Sequence, residues 1–174
     1  MLMQTQVQPQ QPNVGATAAA TMAAIAAITL CGAWFFQYVL GIEPCPMCLE
    51  QRYAYYLVIV LGVLLALSAS RLPRGLVIAL LAVMALAAFG NSIYGAYHAG
   101  VEWKFWAGPA SCSGPLPDFS KGGSLLDQLN KVKVVPCDAV QWRFLGLSLA
   151  GYNFLISGLM GLVALFGINK LRTA

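Results

Sequence analysis

The run EPCPMCLEQR, residues 43–52, sets two thiols, Cys45 and Cys48, two residues apart and a fixed cation, Arg52, four residues after the second. Such a pair makes a poor staple. In the chain-entropy model a loop closed over four residues gains about 2 kcal/mol, against roughly 3.5 kcal/mol for one of about 25 residues. Its strength is exchange, because reduced thiols that stay adjacent re-close quickly and reversibly. A helix starting near Cys48 would aim its N-terminal dipole at that sulfur and favour the thiolate. Arg52 would follow on the same helical face. Its charge would stabilise a thiolate, or a reduced oxygen anion on a neighbouring acceptor. An arginine at a membrane edge also snorkels to headgroups, but its spacing from the thiol pair favours the chemical role.

Two more cysteines, Cys112 and Cys137, stand in a polar stretch further on. Four cysteines allow three pairings, and proximity favours Cys45 with Cys48 and, by elimination, Cys112 with Cys137. Thiols cannot dispose of electrons alone. No haem motif is present, since Leu49 follows Cys48, and no dinucleotide fingerprint is found. An apolar acceptor dissolved in a bilayer, a quinone, suits the site best. His98, the sole histidine, could donate to a quinone oxygen or relay a proton. Its bland alternative is a side chain solvated among headgroups.

The elements that must position these residues are membrane spans. The chain has 174 residues, 59% hydrophobic and 9% charged, where soluble domains carry about 25% charged. The net charge of +4 suits membrane orientation rather than nucleic-acid binding, as no basic patch with interleaved aromatics appears. Four apolar runs are long enough to span: about residues 16–40, 53–70, 76–97 and 144–168. The expected fold is therefore an all-α, four-helix membrane bundle forming one domain over 16–170. Residues 1–15, rich in Gln and Pro, are expected to be a disordered leader. They lack Lys and Arg, and the run that follows is too long for a cleaved signal core. Cys31, inside the first run, is expected to be buried as a small apolar side chain.

Arg71 and Arg74 in the short second link, and Lys170 and Arg172 at the C-terminal end, where a tail over 171–174 is expected, carry no acids beside them. The positive-inside rule puts them, and both termini, in the cytoplasm. Lys104, Lys121, Lys131, Lys133 and Arg143 in the long loop, about 98–143, pull the other way. They are offset by Glu102, Asp118, Asp127 and Asp138, and long loops weigh less in the rule. Cys45, Cys48, Cys112 and Cys137 then face outward, which in a bacterium is the oxidising periplasm. Within the loop, Trp103, Phe105 and Trp106 suit an interfacial aromatic belt. Ser124 as N-cap, with Leu125, Leu126, Leu129 and Val132 on one face, predicts a short surface helix that leaves Cys112 and Cys137 on mobile flanks.

Together, PCPMCLEQR after the first span, a second outward cysteine pair, and CDAVQWRFLG leading into the fourth resemble the disulfide bond formation protein B (DsbB) family. The resemblance covers nearly the whole chain beyond the leader. It implies an enzyme of the bacterial inner membrane that reoxidises a periplasmic DsbA-type dithiol and delivers the electrons to ubiquinone or menaquinone. It implies that Cys45 and Cys48 form the disulfide next to the quinone, with Cys48 facing it, and that Arg52 and His98 lie near the quinone. It implies that Cys112 and Cys137 form the second disulfide, attacked by the partner at Cys112 with release of Cys137. The long leader and the Pro-rich spacing after Cys112 depart from the family pattern and leave the DsbA-like partner open.

Competing readings are a structural zinc site of all four outward cysteines, which lacks a second C-x-x-C, and a membrane subunit with structural disulfides and no redox turnover. A vitamin K epoxide reductase-type enzyme would place its C-x-x-C at the start of a later helix.

Overall fold

The computed structural model describes residues 14–113 and 135–173. Residues 1–13 of the expected leader, and the surface helix expected around Ser124–Val132, lie outside the described residues.

Four helices make the bundle: α1 (Val14–Trp34), α2 (Pro46–Ser68), α3 (Arg74–Glu102) and α4 (Leu149–Thr173). Each is long and apolar enough to cross a membrane, counting α1 together with the turn that extends it to Val39. The chain is thus a four-helix membrane protein, as its composition predicts. α1 packs on α2 and α4, and α3 on α2 and α4, closing a ring. Met22, Val58, Leu65, Leu81, Met84 and Met160 fill its centre. The outer surface is apolar as well, with Leu57, Val60, Leu67, Leu86, Ile93 and Leu159 exposed. Soluble monomers rarely expose apolar patches beyond a few hundred Å². Only hydrocarbon makes such a surface neutral.

Where lipid surrounds the bundle, burial gives helices little reason to associate, so close backbone approach and polar bonds must hold them. α1 supplies the first. Its inward positions Gly15, Ala18, Ala19, Met22, Ala23 and Ala26 are mostly small. Opposite them on α2 stands Gly62, where an added Cβ would lie 2.8 Å from the Ala19 carbonyl oxygen and 2.9 Å from Ala23 Cβ. The second device ties α2, α3 and α4. Tyr55 donates to Asn153 Oδ1 at 2.5 Å, and Asn91 Nδ2 donates to Asn153 Oδ1 at 3.1 Å and to Ser157 Oγ at 2.9 Å.

The helices outrun the apolar runs that announce them. α2 begins at Pro46 rather than near Tyr53, and α3 continues past Tyr97 to Glu102. At 1.5 Å per residue the 29 residues of α3 span about 43 Å, well beyond a hydrocarbon core of about 30 Å. Its last turns therefore stand at the interface and carry polar groups. α4 starts at Leu149, later than the expected Phe144, because a small hairpin precedes it. β1 (Arg143–Phe144) pairs antiparallel with β2 (Leu147–Ser148). The turn residues Leu145 and Gly146 both have positive φ, 48° and 82°, as a tight two-residue hairpin of this hand needs.

Cys31 departs from expectation. It is exposed on the outer face of α1 rather than buried in the bundle. A helix spanning lipid presents such a thiol to hydrocarbon, so its apolar surroundings remain although its packing does not.

Candidate active site

Cys45 is the N-cap of α2. Its backbone is extended (φ −72°, ψ 165°), Pro46 supplies the first helical residue with φ already set, and Cys45 Sγ accepts the Cys48 backbone N–H at 3.2 Å. The proline between the thiols thus starts the helix, and the first turn brings the second sulfur back over the first. The two Sγ atoms lie 2.7 Å apart, close enough to the 2.03–2.05 Å of a disulfide that closure needs little movement.

The sequence expectation put the favoured thiolate at Cys48. With the helix starting at Pro46, the free N–H groups and the positive dipole end face Cys45 instead. Cys45 is buried. The hydrogen bond from the Cys48 side chain holds its thiol well below the ordinary value. Burial opposes this, and the His98 hydrogen bond and charge and the Cys48 backbone N–H add to the lowering.

His98 is not solvated among headgroups. It lies on the inner face of α3, 2% exposed, with Nε2 3.6 Å from Cys45 Sγ. Gln51 Nε2 lies 3.1 Å from His98 Nδ1. Donation by that amide leaves Nε2 to carry the ring proton toward the sulfur. Gln51 itself is buried, one residue before Arg52, so α2 supplies both neighbours of the thiol pair from a single turn.

Arg52 donates from Nη1 to Gln37 Oε1 at 2.7 Å. Gln37 comes from the end of α1, where residues Phe35–Val39 form a π-helical turn with a Leu40 N–H to Phe35 carbonyl bond of 3.2 Å. Such turns insert one residue and often mark functional sites. Here it leads into Gly41, whose φ of +67° lets the chain turn back toward Cys45.

Cys45, Cys48, Gln51, Arg52 and His98 line one cavity of about 460 Å³. With Glu102, they are among its polar groups. Most of its remaining wall is apolar or aromatic, with Phe36, Trp142, Phe144 and Tyr152 at one side. Trp142 stacks on Phe144 with ring centroids 6.0 Å apart and packs on Phe36 at 4.9 Å. A flat, mostly apolar ligand with polar oxygens suits such a slot. Glu102, one helical turn after His98, accepts from the Ser148 hydroxyl.

Cys112 and Cys137 are joined in a disulfide with Cα atoms 5.2 Å apart. Bonded to each other, they cannot complete a four-cysteine zinc site. Nor do they sit on open flanks, as the sequence suggested. They are buried, 6% and 1% exposed, in one cluster with Cys45, Met47 and Val101. The Gln141 side chain donates to the Glu43 carbonyl at 2.8 Å, and an exposed Lys104–Asp138 ion pair fastens the Cys137 segment to the end of α3. The disulfide also divides two spaces. Cys137 lines the cavity of Cys45 and Cys48, whereas Cys112 lines a second cavity, also about 460 Å³, walled by Val101, Trp106, Pro109 and Pro136. Trp106 is exposed, as the aromatic belt requires, and its indole donates to the Tyr97 carbonyl at 3.0 Å.

The structure therefore brings all six expected residues to one end of the bundle. Sequence reasoning missed Gln37, Gln51 and Glu102. Gln51 and Glu102 carried a signal: they lie three and four residues from Cys48 and His98, on shared helical faces. Gln37 carried none, since its aim depends on the π turn.

Comparison with known proteins gives a consistent result. Residues 15–167 match the family "Disulfide bond formation protein DsbB". Proteins named "Disulfide bond formation protein B" are similar to the chain. That of Polaromonas naphthalenivorans is 32% identical over 79% of this chain and 81% of its own length. That of Verminephrobacter eiseniae is 33% identical over 82% and 78%, and that of an Azoarcus species 34% over 76% and 79%. No solved structure matches to the same standard.

Proposed function

Because the chain belongs to the disulfide bond formation protein DsbB family, and so is a disulfide-forming oxidoreductase of the membrane, we propose that it reoxidises a DsbA-type dithiol and passes the electrons to a membrane quinone. The setting is the bacterial inner membrane, with the cysteine end periplasmic and both termini cytoplasmic. The arginines and lysines at the far end, Arg71, Arg74, Lys170 and Arg172, support that orientation.

One observation carries the reading: the Cys112–Cys137 disulfide packs in one buried cluster with Cys45 and separates two cavities. A thiolate of the reduced partner attacks Cys112 from the outer cavity. A partner–Cys112 bond forms, the Cys112–Cys137 bond breaks, and the Cys137 thiolate is released on the inner side. The partner's second thiol then displaces Cys112 and leaves with the disulfide. Cys137 attacks the Cys45–Cys48 disulfide, and Cys112 resolves the resulting bond. The outer pair is oxidised again and the inner pair holds the two electrons. Cys45, stabilised as a thiolate by the first turn of α2 and by His98, is the better leaving group. Cys48 is less buried than Cys45 and lines the cavity.

The quinone is a substrate here. When bound, it takes up two electrons and two protons and leaves as quinol. The inner cavity fits it in volume, in apolar lining and in its aromatic wall. Arg52, held by Gln37, offers a fixed charge for a developing oxygen anion, and His98 is placed to move a proton between the thiol pair and the cavity.

The test mixes the purified chain with a soluble quinone and a reduced DsbA-type thioredoxin-fold protein, following quinone absorbance. Turnover is expected from the unaltered chain and none from Cys45→Ser or Cys48→Ser. Normal turnover by either variant would reject the scheme.

A further inference from the structure

We propose that, once Cys45 and Cys48 are reduced, they and His98 form a three-ligand site for a borderline-soft divalent cation, with Zn²⁺ the fitting ion, and that forming the disulfide abolishes it. The inference rests on geometry and ligand chemistry, and stands whether or not a quinone is the acceptor.

The two sulfurs and a ring nitrogen of His98 all lie within 4.8 Å of one another. Zinc binds thiolate sulfur at about 2.3 Å and imidazole nitrogen at about 2.0–2.1 Å. In a tetrahedral shell those bonds put neighbouring ligand atoms about 3.5–3.8 Å apart. Cys45 Sγ and His98 Nε2 are already 3.6 Å apart. The two sulfurs, at 2.7 Å, need to separate by about 1 Å. That motion relieves the crowding of two unbonded sulfurs. Cys45 is the N-cap of α2 and His98 sits mid-turn in α3, so both ligands stand on rigid backbone.

The surroundings suit a cation. Two thiolates neutralise Zn²⁺, so the occupied site carries no net charge to bury. Binding displaces whatever protons the two sulfurs still carry. A ligating imidazole must donate its other N–H to an acceptor. Gln51, 3.1 Å from Nδ1, provides one when its side-chain amide turns by half a rotation to offer oxygen. The fourth position opens to the cavity, giving a Cys₂His shell with one exchangeable site. In the oxidised pair neither sulfur is a thiolate, so the donor set is lost. A cation held there blocks re-closure of the disulfide and stops turnover in the reduced state.

The experiment uses the full chain in detergent with Cys31, Cys112 and Cys137 changed to Ser, leaving two thiols. The reduced and oxidised forms are titrated with zinc chloride against a chromophoric chelator. One zinc per chain is expected in the reduced form and none in the oxidised form. His98→Ala should weaken binding at least about tenfold, the lower bound seen when even a second-shell partner is lost, and His98→Cys should restore it. X-ray absorption of zinc on the reduced chain with His98 intact needs no folding control and should report two sulfurs and at least one nitrogen. Equal binding by both redox forms, unchanged affinity in His98→Ala, or a zinc shell without nitrogen would each overturn the site.

Discussion

The position of Cys45 at the head of α2 makes a quantitative demand on its reactivity. An ordinary thiol with a pKa near 8.5 loses about 75-fold of its thiolate between pH 8 and pH 6. A thiol held at or below about 6 loses less than about twofold over the same interval. Cys45, lowered first by the Cys48 side chain and then by His98 and the Cys48 backbone N–H, should follow the second curve. The assay is a timed iodoacetamide pulse on the reduced chain, with the Cys45 peptide quantified by mass spectrometry at each pH. Cys48→Ala removes the leading donor but keeps the backbone N–H and His98. A hydrogen bond to a charged group is worth about 1.5–3 kcal/mol. At 1.36 kcal/mol per pKa unit, the knee of the curve should move up by about one to two pH units. The sign carries over to redox balance. A lowered thiol stabilises the reduced pair fully above the ordinary thiol value, and that advantage fades as pH falls through the lowered one. A 75-fold fall in the unaltered chain, or superimposable curves for it and Cys48→Ala, would refute the assignment of Cys45 as the resident thiolate.

Three further outcomes are expected. Arg52→Ala should raise the KM for quinone by about 10- to 100-fold, the worth of a charge-assisted bond, with little change in thermal stability. A quinone titration with unchanged KM would leave Arg52 as an interfacial anchor. Cys137→Ser should accumulate a mixed disulfide between Cys112 and the partner on non-reducing gels, and its absence would remove Cys112 as the point of attack. Gly62→Leu forces a side chain against the Ala19 carbonyl and Ala23. It should cost about 1–3 kcal/mol, read as a lower midpoint in a denaturing-detergent titration. An unmoved midpoint would show that α1 and α2 are free to separate.

The spans and the thiol pair were legible because both are local. Twenty apolar residues in a row, or two cysteines with a proline between them, mean the same thing wherever the chain goes next. The ends of the helices were not legible. Hydropathy marks where lipid stops, whereas backbone hydrogen bonding carries α3 on through His98 to Glu102. That continuation turns His98 from a headgroup residue into a buried neighbour of Cys45. The choice between Cys45 and Cys48 as thiolate turned on a shift of the helix start to Pro46, which propensity does not resolve. The burial of Cys112 and Cys137 was hidden for another reason. It depends on contacts of Gln141 with Glu43, and of Lys104 with Asp138, between segments far apart in sequence.

The π-helical turn at the end of α1 reaches further than its five residues suggest. A single surplus residue, accommodated without breaking the helix, rotates the remainder of that helix end, up to the turn at Gly41, by about a quarter turn. Deleting one position within Phe35–Val39 would restore regular winding. Gln37 would swing away and the Arg52 guanidinium would lose its tether, while every cysteine stayed in place. Grip on the electron acceptor and sulfur exchange are therefore separable properties of this fold, adjustable independently by the length of one helix end.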